Sequence, residues 1–282
     1  MTKYQIDKIK NSLAKNINKN FIIKDLHAIT GGCINMAYKL STSVGDFFVK
    51  WNDNPKKDMF QLEVRALDYI RDTNTISVPN VISYDDKFII MEFINQTIVK
   101  NDFWKKFAKN LADLHKVSNS FYGFENDNFI GSLHQCNKKN NDWSDFFINQ
   151  RIIPQLQISS LTSDYFKMFD KLFIKLDSIL PKDTPSLLHG DLWSGNFLAQ
   201  GNNVFIIDPA IYFGNREMDI AMSKLFGGFD IEFYNKYNDC YLLEDGWEER
   251  VDLWNIYPLL VHYNLFGGSY LLQIRNILKY FI

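Results

Sequence analysis

Residues 187–208 read Leu-Leu-His-Gly-Asp-Leu-Trp-Ser-Gly-Asn-Phe-Leu-Ala-Gln-Gly-Asn-Asn-Val-Phe-Ile-Ile-Asp and concentrate the chemistry of the chain. A carboxylate stands at Asp191, an amide at Asn196 and a second carboxylate at Asp208. All three offer oxygen, the donor that a hard cation such as Mg²⁺ prefers. Phosphoryl transfer from ATP asks for such a set: a carboxylate beside the attacking hydroxyl, and oxygen ligands for the metal on the phosphates. In that chemistry Asp191 orients the hydroxyl and accepts its proton, while Asn196 and Asp208 hold Mg²⁺. The runs Asn196-Phe-Leu-Ala and Val204-Phe-Ile-Ile flank the turn residues Gln200-Gly-Asn-Asn, which is a hairpin signal. A hairpin folds back and returns Asp208 to the neighbourhood of Asn196. The bland alternative is a buried segment with two solvated Asp residues at strand ends.

These groups need elements to position them. Ile6, Ile9, Leu13 and Ile17 recur at helical spacing and predict an amphipathic first helix. Phe21-Ile-Ile-Lys begins a strand region, and Thr30-Gly-Gly-Cys-Ile-Asn makes a Gly-rich turn. Ala37-Tyr-Lys-Leu-Ser and Asp46-Phe-Phe-Val-Lys-Trp read as the next two strands. Phe60, Val64, Leu67 and Ile70 mark a helix from Met59, followed by strands at Pro79-Asn-Val-Ile-Ser-Tyr and Phe88-Ile-Ile-Met-Glu-Phe-Ile. Helices dominate downstream, with an apolar stripe at Phe103, Phe107, Leu111 and Leu114. Residues 118–142 read as a loop. Helices are then predicted over 143–156, 165–180, 217–225, 233–239, 248–263 and 269–281, with Pro258 kinking or starting one of them. The expected fold class is α+β, with a small antiparallel-sheet lobe over residues 1–94 and a mostly helical lobe over 95–282.

Composition narrows the function classes. With 46% hydrophobic residues and 24 Phe, a sizeable core is within reach and disorder is not expected. Thirty-one basic against 33 acidic residues leave a net charge of −2, which gives no electrostatic case for nucleic acid or an anionic membrane. Cys33, Cys136 and Cys240 are too few and too scattered for a disulfide framework or a zinc site. The first ten residues alternate charged with apolar and do not read as a signal peptide. No apolar run approaches the length of a membrane span, so the expected location is the cytoplasm.

Gly31 and Gly32 sit between two predicted strands, where the missing Cβ lets backbone N–H groups approach phosphate oxygens. In isolation such a pair is more often only a turn. Lys50 ends a Phe-Phe-Val-Lys strand; taken alone it reads as a solvated edge charge. Glu63 lies one turn into the next helix and, alone, reads as a solvated helix-face residue. Trp193 on a polar, Gly-flanked loop is costly unless it packs beneath the loop or walls a bound ligand. Cys33 directly follows the glycines, where an electropositive, accessible site would lower a thiol pKa. The alternative is a small filler under the loop.

The Asp-x-x-x-x-Asn spacing matches the kinase catalytic loop. Strand, Gly loop, strand, strand, helix, strand, strand is also the order of a kinase N-lobe, here preceded by an extra helix. His-Gly-Asp replaces the His-Arg-Asp of protein kinases, and Asp-Pro-Ala replaces Asp-Phe-Gly, which looks like a small-molecule kinase. His-Gly-Asp-Leu-Trp-Ser-Gly-Asn resembles the fructosamine kinase (ketosamine 3-kinase) family closely. So do Gly31-Gly-Cys-Ile-Asn, Asp208-Pro-Ala-Ile-Tyr-Phe-Gly-Asn-Arg-Glu-Met-Asp-Ile-Ala-Met, Leu225-Phe-Gly-Gly-Phe and His262-Tyr-Asn-Leu-Phe-Gly-Gly-Ser-Tyr. The match covers essentially the whole chain. One departure is Asn215, where the family more often has His.

The resemblance implies roles. Gly31, Gly32 and Lys50 would contact ATP phosphates, and Glu63 would pair with Lys50. Met91, Glu92, Phe93 and Ile94 would form the segment that faces adenine. Trp193 would wall the sugar or the amine-bearing carbons, and Asp219 would brace the catalytic loop. The implied activity is ATP- and Mg²⁺-dependent phosphorylation of the 3-hydroxyl of fructosamine, ribulosamine or erythrulosamine adducts of amines or lysine, leading to deglycation. The alternatives are another small-molecule kinase acting on an aminoglycoside, choline or homoserine, and a pseudokinase binding module. The implied partners are small ketosamines or glycated lysines on proteins, with no nucleic acid and no membrane. The expected assembly is a monomer or a homodimer linked through a redox-sensitive Cys33.

Overall fold

The structure, a computed structural model, describes residues 1–17, 20–30, 34–100 and 102–282. Its chain divides into two compact units, Met1–Lys100 with Leu198–Ile207, and Asn101–Phe197 with Asp208–Ile282.

The first unit opens with helix α1 (Lys3–Ile17) and strands β1 (Ile23–Ile29), β2 (Met36–Thr42) and β3 (Gly45–Trp51). Helix α2 (Met59–Asp72) and strands β4 (Val81–Asp85) and β5 (Phe88–Glu92) follow. The five strands form one antiparallel sheet in the order β1-β2-β3-β5-β4. Alternation along a strand decides what faces the core. Phe47, Val49 and Trp51 of β3 join Ile9 and Leu13 of α1, Leu40 of β2 and Phe88 and Ile90 of β5 in one apolar cluster. Phe48 and Lys50 therefore point to the other face. Asp58 caps α2 in a left-handed conformation (φ 60°) without a side-chain bond, so the sequence carries no recognisable capping box there.

The second unit starts with α3 (Phe103–His115) and a short hairpin, β6 (Asn128–Ile130) and β7 (Leu133–Gln135). Helix α4 (Trp143–Phe146) runs through a π-helical turn, Phe147–Ile152, into α5 (Ile153–Ile158). Helix α6 (Ser163–Ile179) leads to strand β8 (Ser186–Leu188). Next along the chain, strands β9 (Phe197–Gln200) and β10 (Asn203–Ile206) form the expected hairpin, all but Phe197 of it in the first unit. Strand β11 (Tyr212–Gly214) pairs back with β8, and helices α7 (Glu217–Leu225), α8 (Ile231–Cys240), α9 (Trp247–Phe266) and α10 (Tyr270–Phe281) complete the chain. The core gathers Trp143, Phe146, Phe147, Leu188, Tyr212 and Trp254.

The structure departs from or adds to the sequence expectation at three places. The sequence reading places residues 95–282 in one lobe; residues Leu198–Ile207, most of the β9–β10 hairpin, cluster with the first unit. Local hydrogen bonds account for this. The Thr97 N–H donates to the Ala199 carbonyl at 2.9 Å, the Gly201 N–H to Thr97 Oγ1 at 2.7 Å, and the Ile206 N–H to the Ser77 carbonyl at 3.0 Å. Residues 118–142 are not all loop either, since β6 and β7 lie within them. Pro258 falls inside α9, so it neither starts nor ends that helix.

Candidate active site

In the first unit, the Lys50 ammonium meets the Glu63 carboxylate with 2.6 Å between Nζ and Oε1, both side chains largely buried. β3 and α2 set up this pair. Lys50 occupies the sheet face opposite Val49, and Glu63 lies one turn into the helix. At the end of β5 and just beyond it, Met91 and Ile94 are both buried. The Glu92 carboxylate accepts from the Asn80 N–H and Nδ2 at 3.1 and 3.0 Å, and the Glu92 N–H donates to the Asn80 carbonyl at 2.9 Å. Its side chain is therefore engaged within the unit. The Phe93 ring carries the Lys39 ammonium 4.5 Å from its centroid. Gly31, Gly32 and Cys33 lie outside the described residues.

In the second unit, β8 delivers the loop His189-Gly190-Asp191, and Asp219 in the first turn of α7 holds it. Asp219 Oδ2 accepts from the His189 N–H at 2.7 Å, and Oδ1 from the Gly190 N–H at 2.9 Å. His115 Nε2 lies 3.1 Å from Oδ2, and its Nδ1 lies 2.7 Å from the Tyr237 hydroxyl. Burial pushes the Asp219 carboxyl upward, but the His115 hydrogen bond, the charges of His115 and His189 and the Gly190 N–H together hold it below the usual range. Gly190 has φ +82°, and a Cβ there would sit 2.2 Å from the Ala210 carbonyl oxygen, so only glycine fits.

Asp191 leaves this loop with its N–H donated to His189 Nδ1 at 3.2 Å. Asn196 then folds over it, its Nδ2 donating to the Asp191 carbonyl and to Asp191 Oδ2, both at 2.9 Å. That leaves Asn196 Oδ1 without a hydrogen-bond partner among the described residues. Burial raises the Asp191 carboxyl to about 7, helped by the charges of Asp208 and Asp219 and opposed by the Asn196 hydrogen bond. Asp208 has φ 55°, a left-handed conformation that Asp tolerates better than most residues. Such strain at a site is a pointer to function.

The residues fit a divalent cation. Asn196 offers a spare amide oxygen and Asp208 a carboxylate, both hard donors. No cluster of three His, Cys, Asp or Glu side chains among the described residues would hold a metal by itself. A cation held by Asn196 and Asp208 would therefore complete its shell with phosphate oxygens and water.

Trp193 is half-buried, and its ring lies over Gly195, where a Cβ would sit 2.3 Å from Cη2. The ring also meets Phe226 edge-on, with centroids 5.8 Å apart and planes at 76°. Gly228 closes against Ser194 of the same loop, which explains the glycine of the Leu225-Phe-Gly-Gly stretch. A pocket beside the loop is lined by Asp191, Met218, Met222, Tyr257 and His262, among others. Sequence reasoning passed over His115, Tyr237 and His262 as functional residues. For His115 a signal existed: it is a polar residue beside Leu114 at the end of the apolar stripe of α3, and it is wholly buried. Cys136 and Cys240 are free and partly buried. No helix among the described residues is long and apolar enough to cross a membrane.

The family model described as fructosamine kinase matches residues 5–282. The probable ketoamine kinase of Synechocystis is 36% identical over 280 residues, covering 96% of this chain and 95% of the relative. The chloroplastic protein-ribulosamine 3-kinase of Arabidopsis thaliana is 36% identical over 261 residues, covering 88% of this chain and 79% of the relative. Among solved structures, a fructosamine-3-kinase-type protein from Haemophilus somnus is 31% identical, with TM-score 0.87 and coverage of 97% and 96%. An ADP-bound aminoglycoside phosphotransferase shares the fold alone, at 18% identity, TM-score 0.62 and coverage of 95% and 96%. The fold is the α+β fold of the protein-kinase-like superfamily, and the chain belongs to the fructosamine kinase family.

Proposed function

We propose that this chain is an ATP- and Mg²⁺-dependent kinase that phosphorylates the 3-hydroxyl of ketosamines. Membership of a family of ketoamine and ribulosamine 3-kinases supports the coarser statement, a phosphotransferase with an alcohol group as acceptor. The observation that carries the finer reading is the carboxylate of Asp191, set on a glycine-specific turn and held by the Asn196 amide.

Asp191 is the general base. Its Oδ2 is oriented by Asn196, and burial, helped by the neighbouring charge of Asp208, raises its affinity for a proton. A carboxyl so poised accepts the proton of the C3 hydroxyl as the oxygen attacks. When bound, ATP supplies the phosphoryl group and Mg²⁺ neutralises charge on its phosphates. Asn196 Oδ1 and the Asp208 carboxylate are the residues that would hold the cation. Lys50, fixed by Glu63, is the candidate contact for the α- and β-phosphates. Asp219 and His115 take no part in proton transfer and keep the backbone of the loop in place. Trp193 walls the acceptor side. Phosphate at C3 is β to the amine-bearing C1: once the C1–C2 enaminol forms, the nitrogen lone pair expels the phosphate, and water hydrolyses the resulting iminium to free the amine, which makes deglycation the biological outcome. The acceptors are small ketosamines or glycated lysines, and the reading needs no partner chain.

The test is ATP consumption on fructosamine, ribulosamine and erythrulosamine, with the free sugars as controls. Turnover on at least one ketosamine, well above the free sugars, supports the reading. Turnover confined to free sugars, aminoglycosides or choline overturns it.

A further inference from the structure

The pocket beside Asp191 has few polar groups with hydrogen-bonding capacity left. Asp219 has both oxygens engaged by the His189 and Gly190 N–H groups and by His115. The Tyr257 hydroxyl donates to Gln135 Oε1 at 2.7 Å. Most of the remaining wall, including Ile130, Met218, Met222 and Val261, is apolar. Asp191 and His262 are left to address a ligand.

The His262 ring is fixed in one tautomer. Nδ1 lies 2.7 Å from the Pro258 carbonyl oxygen, one turn back on α9. A carbonyl only accepts, so Nδ1 carries the hydrogen and the neutral ring keeps its lone pair on Nε2. Nε2 has no hydrogen-bond partner among the described residues. Burial lowers the proton affinity of the ring, against the Pro258 hydrogen bond that raises it, and so favours the neutral form.

The surroundings of His262 are aromatic. Phe226 lies 4.9 Å from it, centroid to centroid, and touches Trp193 on its other side. Tyr270 and Phe266 lie 5.2 and 5.7 Å away. Aromatic faces attract a cation, and an unprotonated ring nitrogen among them accepts a hydrogen bond from one without adding charge repulsion.

We infer that His262 recognises the amine of the acceptor, its Nε2 accepting a hydrogen bond from the protonated secondary amine while Asp191 addresses the 3-hydroxyl. In a ketosamine the nitrogen is three bonds from C3, along C3–C2–C1–N, so the amine and the 3-hydroxyl of one ligand address two side chains that line the same pocket. This rests on the ketosamine reading above and adds to it the expectation that a free ketose, which has no nitrogen, is the poorer acceptor.

The experiment compares kcat/KM for fructosyl-butylamine with that for 1-deoxyfructose, which keeps the sugar and lacks the amine. Wild type, His262→Phe and His262→Gln are measured. His262→Phe keeps an aromatic wall and removes the acceptor nitrogen; His262→Gln keeps an acceptor atom at similar reach. A hydrogen bond to a charged group is worth roughly tenfold to a hundredfold in affinity. The amine-to-deoxy ratio should fall by about that factor in His262→Phe, and by less in His262→Gln. Because both acceptors are read on the same protein, a general loss of folding or of ATP binding cancels in the ratio. A wild-type ratio retained in both variants overturns the role of His262 and leaves the ketosamine reading intact. A wild type that phosphorylates no ketosamine overturns that reading, and this inference with it.

Discussion

The side-chain amide of Asn196 donates to both the carbonyl and the Oδ2 of Asp191, at 2.9 Å each. One side chain thus fixes the loop conformation and the direction of the Asp191 carboxylate, and it presents its own oxygen elsewhere. The separation of five positions is what brings the two residues together, because the turn between them closes with the Asn196 N–H on the Trp193 carbonyl at 2.9 Å.

Asp191→Asn should lower turnover by about 10²–10⁴-fold with little change in ATP binding. Activity above about a tenth of wild type would remove Asp191 from the base role.

The same substitution should stabilise the metal-free protein at alkaline pH. The folded-state value of Asp191 is raised to about 7 from 3.8, chiefly by burial. A raised carboxyl holds its proton better folded than unfolded. Its contribution to stability is complete below the unfolded value and is lost as pH rises through about 7. Wild type should therefore lose stability over that window relative to Asp191→Asn, and the gap in Tm should widen from pH 5 to pH 8. Each kcal/mol is worth about 2–4 °C in a domain of this order of size. A gap that narrows with pH contradicts the assigned environment.

Asp208→Ala should abolish turnover and weaken Mg·ATP binding more than binding of adenosine alone; Asn196→Ala should do so less severely. Titration calorimetry that finds Mg·ATP affinity unchanged in both would exclude them as the metal ligands.

Gly190→Ala should be among the most damaging single methyl additions in the chain. The new Cβ meets the Ala210 carbonyl oxygen at 2.2 Å while φ stays at +82°. The cost expected for one strained residue is about 1–3 kcal/mol, with the clash in addition. A Tm within a degree of wild type, with full activity, would mean that the turn has room the structure does not give it.

Trp193→Ala should lower kcat/KM for a ketosamine and leave the KM for ATP alone. Loss of an aromatic contact of about 1 kcal/mol corresponds to roughly fivefold. Equal acceptor kinetics in the two proteins would make Trp193 a packing residue beneath the loop.

Much of this was legible in the sequence because the signals are local. Asp191 and Asn196 share one turn, the β9–β10 hairpin has its turn residues between two apolar runs, and Lys50 and Glu63 sit on strand and helix positions that periodicity predicts. What was not legible depends on distant chain. The family resemblance alone points to Asp219 as a brace, since the loop N–H groups it meets are far away in sequence, and nothing local pairs it with His115, which reaches Asp219 from α3. The β8–β11 ladder has only three residues a side, too short for a periodic pattern. The affiliation of the hairpin with the first unit rests on bonds from Ser77 and Thr97, which no local pattern announces. His262 reads as one more residue of a buried helix until the bond from Nδ1 to the Pro258 carbonyl fixes its tautomer.

The central claim is that Asp191 activates the 3-hydroxyl of a ketosamine. The most direct test is to incubate the protein with Mg·ATP and a fructosamine and to locate the phosphate by ³¹P–¹H correlation NMR. The account predicts coupling of the phosphorus to the proton on C3, and loss of that product in Asp191→Asn. Phosphate on any other oxygen, or an undiminished C3 phosphate from Asp191→Asn, would contradict it.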